Sequence, residues 1–244
     1  MVKSGDEIAR LIVQSCESND LELEQGDVVV VAQKIFSKAE GRVVRLKDVV
    51  PSTEAKQLAR MTGKSSKFVE LVRRETRRVL KATSEVLLVE DKRGLICINA
   101  GIDKSNVEGS GNFALLPELP DRSARDCRLK IKSLTGKEVA VVVCDTYSRP
   151  FRRGQVNFAI GVSGLGPFRD YRGKKDLFGQ ILKVKNIAVV DEIAAAAELL
   201  MGQGTEARPV VILRGLKNSI KKCEDCNVDE LRISEDEDLF RGVL

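Results

Sequence analysis

Histidine is absent from the 244 residues, and so is tryptophan. Without histidine no Ser–His or Cys–His nucleophile can form, and no HExxH zinc site either. Any catalytic metal must then be held by oxygen or sulfur. Aromatic residues are only 4% of the chain, too few for a surface that stacks single-stranded nucleic acid. Long apolar runs are missing as well. The longest are Val28 to Ala32, Val139 to Cys144 and Ile193 to Ala197, far short of the roughly 20 residues of a membrane span. The opening residues Met1-Val-Lys-Ser-Gly-Asp-Glu7 lack the apolar stretch of a secretory signal. These absences lead us to expect a cytoplasmic protein with no membrane partner.

What is present is an ordinary globular composition, with 43% hydrophobic and 32% charged residues, in a chain long enough to bury a core. The net charge of +5 is a mild bias that suits an anionic small molecule as well as a nucleic acid. The densest basic stretch is Arg73, Arg74, Arg77, Arg78 and Lys81. On a helix these residues form one broad face opposite Val69, Val72, Thr76 and Val79, and a solvated face is the expected role. No nucleic-acid-binding signature accompanies them, so no nucleic-acid partner is expected. Of six cysteines, Cys16, Cys97, Cys127 and Cys144 stand singly and are expected to behave as small buried hydrophobes. Only Cys223 and Cys226 form a C-x-x-C pair. That is half a zinc site, with no second half and no preceding strand of the redox type.

Periodicity predicts a helix over 6–17, a buried strand over 27–32 and a basic loop or strand over 34–45. A helix follows from Pro51-Ser52 to about Met61, ended by Gly63, and a second runs from Ser65 or Ser66 to about Lys81. Apolar runs over 86–90 and 95–102 flank a hairpin turn at Gly94. Residues 103–120 read as a loop. Asp121 can cap a helix to Leu134, with Gly136 beyond its end. Glu138 to Thr146 is a buried strand, and 147–157 a long polar loop. Phe158 to Ser163, Leu182 to Val190 and Pro209 to Arg214 read as strands, and Asp191 to Met201 as a helix closed by Gly202. The acidic tail has room for one short helix. The pattern predicts an α+β unit of mixed sheets with flanking helices.

Three segments share one design, an apolar element that ends in polar and small residues. They are Ile96 to Asn106 with Asp103, Val141 to Gly154 with Asp145 and Thr146, and Leu200 to Gly204 with Gln203. Ligands collect at such ends because side chains there leave the core. Carboxylate, hydroxyl and amide oxygens suit magnesium or manganese. Arg152 and Arg153 can clamp phosphate or carboxylate oxygens. Each Asp alone reads better as a turn cap, but the combination reads as a metal-assisted phosphoryl site. Other phosphate motifs fail: Gly63-Lys-Ser65 lacks the first glycine of a P-loop, and Gly109-Ser-Gly-Asn-Phe-Ala114 opens no helix.

Seven segments then stand in one order: Ser37-Lys-Ala-Glu-Gly-Arg42, Asn99-Ala-Gly-Ile-Asp-Lys-Ser-Asn106, Cys144-Asp-Thr146 with Phe151-Arg-Arg-Gly154, Phe158-Ala-Ile-Gly161, Asp176-Leu-Phe-Gly179, Asp191-Glu-Ile-Ala194 and Leu200-Met-Gly-Gln-Gly204. Together they resemble the coenzyme F-420:L-glutamate ligase (F-420-0:gamma-glutamyl ligase) family, over about residues 3–216. The resemblance implies the family's α+β fold, an intertwined homodimer, and a catalytic unit over 1–216 followed by an acidic tail over 217–244. It implies GTP-dependent addition of L-glutamate to the coenzyme F-420 precursor, with two magnesium or manganese sites and help from potassium. Asp103 and Asp145 would hold one metal, and Thr146 and Gln203 would contribute to a second. Lys3, Lys38 and Asn106 would contact the nucleotide, as would Met201, Gly202, Gln203, Gly204 and Arg208. Arg152 and Arg153, from our own reading, are the catalytic clamps. Members open with a further strand and a Pro-rich turn that touches the nucleotide, and this chain is expected to lack it. A different amino acid or cofactor carboxylate on the same scaffold, or ligand binding without ligation, is the alternative reading.

Overall fold

Four consecutive valines, Val28 to Val31, leave almost no surface in water, and burial on both faces is what a continuous β-branched run selects. In the computed structural model, which describes residues 1–216, 221–234 and 236–238, they form β1. The elements in chain order are α1 (Ile8–Ser18), β1 (Val28–Ala32), α2 (Gln33–Ala39), β2 (Val43–Arg45), α3 (Thr53–Thr62), α4 (Ser66–Glu75), β3 (Thr76–Ala82), β4 (Leu87–Asp91), β5 (Ile96–Ile98), β6 (Asn112–Ala114), α5 (Pro120–Thr135), β7 (Ala140–Arg149), β8 (Arg152–Ser163), β9 (Phe168–Asp170), β10 (Asn186–Ala188), α6 (Val189–Met201) and β11 (Val210–Leu213). This is a mixed α+β architecture. No described helix is long and apolar enough to cross a membrane. The chain divides into two compact units, one of Met1–Asp6 with Lys34–Leu119 and one of Glu7–Gln33 with Pro120 onward.

The second unit is built on a sheet of order β11-β1-β7-β8. β1 runs parallel to β7 and antiparallel to β11. α6 packs Val190, Ile193, Ala194 and Ala197 against Val30, Val142 and Val162 in one apolar cluster. β8 is an edge strand, and its spare amides are taken by carboxylates. Asp191 accepts from Ala159 N at 3.0 Å, and Asp121 accepts from Val162 N at 2.8 Å. Side-chain acceptors blunt an edge that would otherwise pair with another chain. Asp121 therefore does not cap α5, which starts at Pro120, a residue pre-set for a first helical position. Burial pushes both carboxyls up. Gly161 lets α5 approach, since a Cβ there would lie 2.5 Å from the Pro120 carbonyl carbon.

The first unit holds the sheet β3-β4-β5 and the pair β2-β6. Ala55, Val69, Val72, Leu87 and Val89 form its core. Ser52 caps α3 by accepting from Ala55 N, and Gly63 ends it at φ 64°, as the sequence predicts.

Several expectations change. Residues 33–39 are the helix α2 rather than loop or strand, with Phe36 and Ser37 buried. The second helix stops at Glu75, and Thr76 to Ala82 pair with β4 instead. Val69, Val72, Thr76 and Val79 keep helical spacing across that boundary, but cross-strand pairing overrides the pattern. The five basic residues thus do not share a helix face. Arg73 and Arg74 pair with Glu70, and Arg77 and Arg78 with Glu90. The supposed loop 147–157 is the hairpin of β7 and β8. Apart from buried Asn157 its residues are half-buried or exposed, so no apolar alternation marks it. Within 103–120, β6 pairs with β2, and the strand expected over 182–190 is only Asn186–Ala188. Cys16, Cys97, Cys127 and Cys144 are buried thiols, as expected. Cys223 and Cys226 form a disulfide with each other, which the spacing did not disclose.

Candidate active site

Asp103 is placed by its backbone. Its N–H and C=O pair with Ala114 of β6 at 3.1 and 2.8 Å. Just before it, Asn99, Ala100 and Gly101 all sit at positive φ, 54°, 55° and 67°. Two non-glycine residues held there store strain, which persists where surroundings over-determine the backbone. The Asp103 carboxylate accepts from Ser105 N at 2.8 Å, from Ser105 Oγ at 2.5 Å and from Lys34 Nζ at 2.7 Å. Burial pushes this carboxyl up, but Lys34 and Ser105 outweigh it and hold it below the usual range. It is therefore ionised at neutral pH.

α2 presents Lys34 and Lys38 one turn apart on one face. Lys34 Nζ also donates to Ser105 O and Ser105 Oγ, at 2.7 and 2.8 Å. Lys38 Nζ donates to Asn106 O at 2.8 Å, and burial and the Lys34 charge lower its pKa. Gly5 N donates to Ala39 O, which lays the segment after Lys3 along the end of the same helix. Lys3, Lys38, Asp103 and Asn106 thus all belong to the first unit.

The second unit holds the other candidates. Thr146 Oγ1 donates to Asn157 Oδ1 across the β7–β8 ladder at 2.7 Å and accepts from Gln203 Nε2 at 2.9 Å. The same Gln203 amide reaches Glu198 at 3.2 Å. So Thr146 and Gln203 stand together, with Asn157 and Glu198 beside them. Asp145 precedes Thr146 on β7, opposite Phe158. After α6, Glu206 accepts from Gly204 N at 2.8 Å, and its own backbone N–H and that of Gly204 lower its pKa. Gly202 sits at φ 67°, and a Cβ there would lie 2.3 Å from Glu206 Cδ. The chain from Met201 to Arg208 is therefore folded about one carboxylate. Arg152 and Arg153 are exposed beside the hairpin tip, where Phe151 has φ 58°. Arg153 lies four residues along β8 from Asn157, roughly 13 Å at 3.3 Å per residue. Neither arginine is brought to Thr146.

A match to the family model described as F420-0:Gamma-glutamyl ligase covers residues 1–215. The chain belongs to that family. It is 45% identical to the Coenzyme F420:L-glutamate ligase of Archaeoglobus fulgidus over 244 residues, all of this chain and 94% of that protein. It is 44% identical to the protein of the same name from Methanopyrus kandleri over 223 residues, 91% of this chain and 86% of that one. A third, from Methanothermobacter thermautotrophicus, is 40% identical over 242 residues, 99% of this chain and 95% of the relative.

In this F420-0:gamma-glutamyl ligase family chain each unit carries oxygen donors of the kind that suit a hard cation, Asp103 in the first and Asp145, Thr146 and Gln203 in the second. Among the described residues no three Asp, Glu or Cys gather in one place. Sequence reasoning passed over Lys34, Ser105, Asn157 and Glu198. None carries a motif of its own, and each is found only through its partner.

Proposed function

We propose that this chain is a GTP-dependent ligase that joins L-glutamate to the deazaflavin coenzyme F-420 precursor. The first bond is an amide at the precursor's lactyl carboxylate, and later ones are gamma-glutamyl bonds. The observation that carries this reading is the family match over residues 1–215.

A carboxylate is a poor electrophile. Its oxygen attacks the gamma-phosphorus of GTP, GDP leaves, and an acyl phosphate forms. The glutamate amine then attacks the acyl carbon, and phosphate leaves with one oxygen of the original carboxylate. No enzyme nucleophile is needed. This agrees with the absence of histidine and with Cys144, whose thiol burial pushes up to about 12. Asp103 and Asp145 are the proposed ligands of one magnesium or manganese ion, Thr146 and Gln203 of a second, with potassium as a further activator. When bound, such ions neutralise phosphate charge. Lys3, Lys38, Asn106 and the segment from Met201 to Arg208 bind and orient the nucleotide. Arg152 and Arg153 clamp the substrate carboxylate or phosphate. The family fold, a homodimer and a cytoplasmic setting belong to the same proposal. Leu177, Phe178 and Val184, 89–98% exposed between β9 and β10, support the dimer.

The test mixes the purified chain with un-glutamylated coenzyme, GTP, L-glutamate and Mn2+, and reads products by mass spectrometry. Added glutamyl units, lost in a folded Asp145→Asn variant, are expected. A folded wild type that adds none contradicts the reading.

A further inference from the structure

Lys34 is more deeply set than a surface lysine. Its side chain is 17% exposed, against 45% for Asp103. Its three N–H donors have three partners, all on one short segment: Asp103 Oδ2, Ser105 O and Ser105 Oγ. An ammonium has three donors and no more, so the group is fully engaged. On the other side, Asp103 Oδ2 takes both Lys34 and Ser105 Oγ, while Oδ1 takes Ser105 N. This carboxylate, the proposed metal ligand, is thus already neutralised by a resident cation.

A divalent ion and an ammonium cannot both sit on one carboxylate oxygen without strong like-charge repulsion. Oδ2 already holds Lys34 and Ser105 Oγ, so an ion arriving at that oxygen displaces the resident cation. The lysine is on a flexible four-carbon stem and carries a compact point charge, whereas Asp103 is fixed by its backbone pairing to Ala114. We infer that Lys34 is a positioning residue that holds the metal's place at Asp103 and yields it when the ion arrives. This inference rests on the ligase reading, through its assignment of Asp103 as a metal ligand. In the metal-free protein Lys34 holds the carboxylate in its rotamer. Once displaced, its ammonium is released close to Asp103, on the same helix face as Lys38. There it offers a second positive charge to the phosphates of a nucleotide. Metal and nucleotide are coupled in this way, since each favours the displaced lysine.

The inference is tested by Mn2+ binding to the full chain without nucleotide, followed by the electron paramagnetic resonance signal of free Mn2+. Wild type, Lys34→Met, Lys34→Gln and Asp103→Asn are compared, each checked for folding by circular dichroism. Removing the resident cation should tighten Mn2+ binding by at least about tenfold in Lys34→Met, the scale of one charge-assisted hydrogen bond. Lys34→Gln should tighten it in the same direction, and covers the case in which Lys34→Met fails to fold. If Lys34 merely pins the 103–106 segment, binding in both variants stays equal or weakens, and the inference is overturned. Asp103→Asn separates the two claims. If the wild type binds Mn2+ no better than Asp103→Asn, the metal assignment at Asp103 falls and the inference falls with it. If binding depends on Asp103 but not on Lys34, only the inference fails.

Discussion

Thr146 works with a single hydroxyl, which donates to buried Asn157 and accepts from Gln203. Thr146→Val keeps the shape and removes both bonds, leaving Asn157 Oδ1 without its donor. A buried acceptor left unpaired costs about 1–3 kcal/mol. Urea unfolding of Thr146→Val should show that loss, while Thr146→Ser should stay close to wild type; equal stability of all three would mean the hydroxyl is not holding Asn157. At this scale the sequence was readable where a motif carried the residue. Asp103, Asp145, Thr146 and Gln203 stand in polar runs at the ends of apolar elements, and Thr146 and Gln203 do meet. Lys34 was not readable, because one lysine among many basic residues has no signature until its partner Asp103, 69 positions away, is known.

Glu70 decides how α3 and α4 are joined. It accepts from Ser52 N and Ser52 Oγ at the start of α3, and from Arg73 and Arg74 on its own helix. Burial pushes the carboxyl up, but the hydrogen bonds from Arg73, Ser52 and Arg74 prevail and hold it at about 2. A depressed carboxyl stabilises the fold above its unfolded value of 4.5 and loses that contribution as pH falls toward 2. Glu70→Gln should therefore cost about 2–3 kcal/mol at neutral pH. The gap to wild type should close between pH 4.5 and 2. Chemical denaturation across that range checks it, and a gap independent of pH would show that charge is not the cause. The same elements show where sequence reading stops. Valine-rich β1 and β7 and the Ser52–Gly63 boundaries of α3 were legible because composition and caps are local. The switch from α4 to β3 was not. Its residues suit either state, and the choice is made by β4, which lies further along the chain.

For the whole molecule, residues matched to the family divide between the two units. The ligase reading needs both, so loss of Asp103 and loss of Asp145 should have the same effect on turnover. Sequence patterns gave the mixed α+β class and the family correctly. They missed the link between Cys223 and Cys226, which sits beside the pairing of Arg128 with Glu224 and near buried Val228. Spacing alone does not say which partner a thiol finds. The most direct measurement of the central claim follows an oxygen atom. The precursor is prepared with 18O in its lactyl carboxylate and turned over with GTP and L-glutamate. The account predicts one 18O atom in the phosphate released with the first glutamate, because the lactyl carboxylate oxygen becomes the bridge to phosphorus, and unlabelled phosphate from later gamma-glutamyl additions. Mono-glutamyl product formed with only unlabelled phosphate would contradict it.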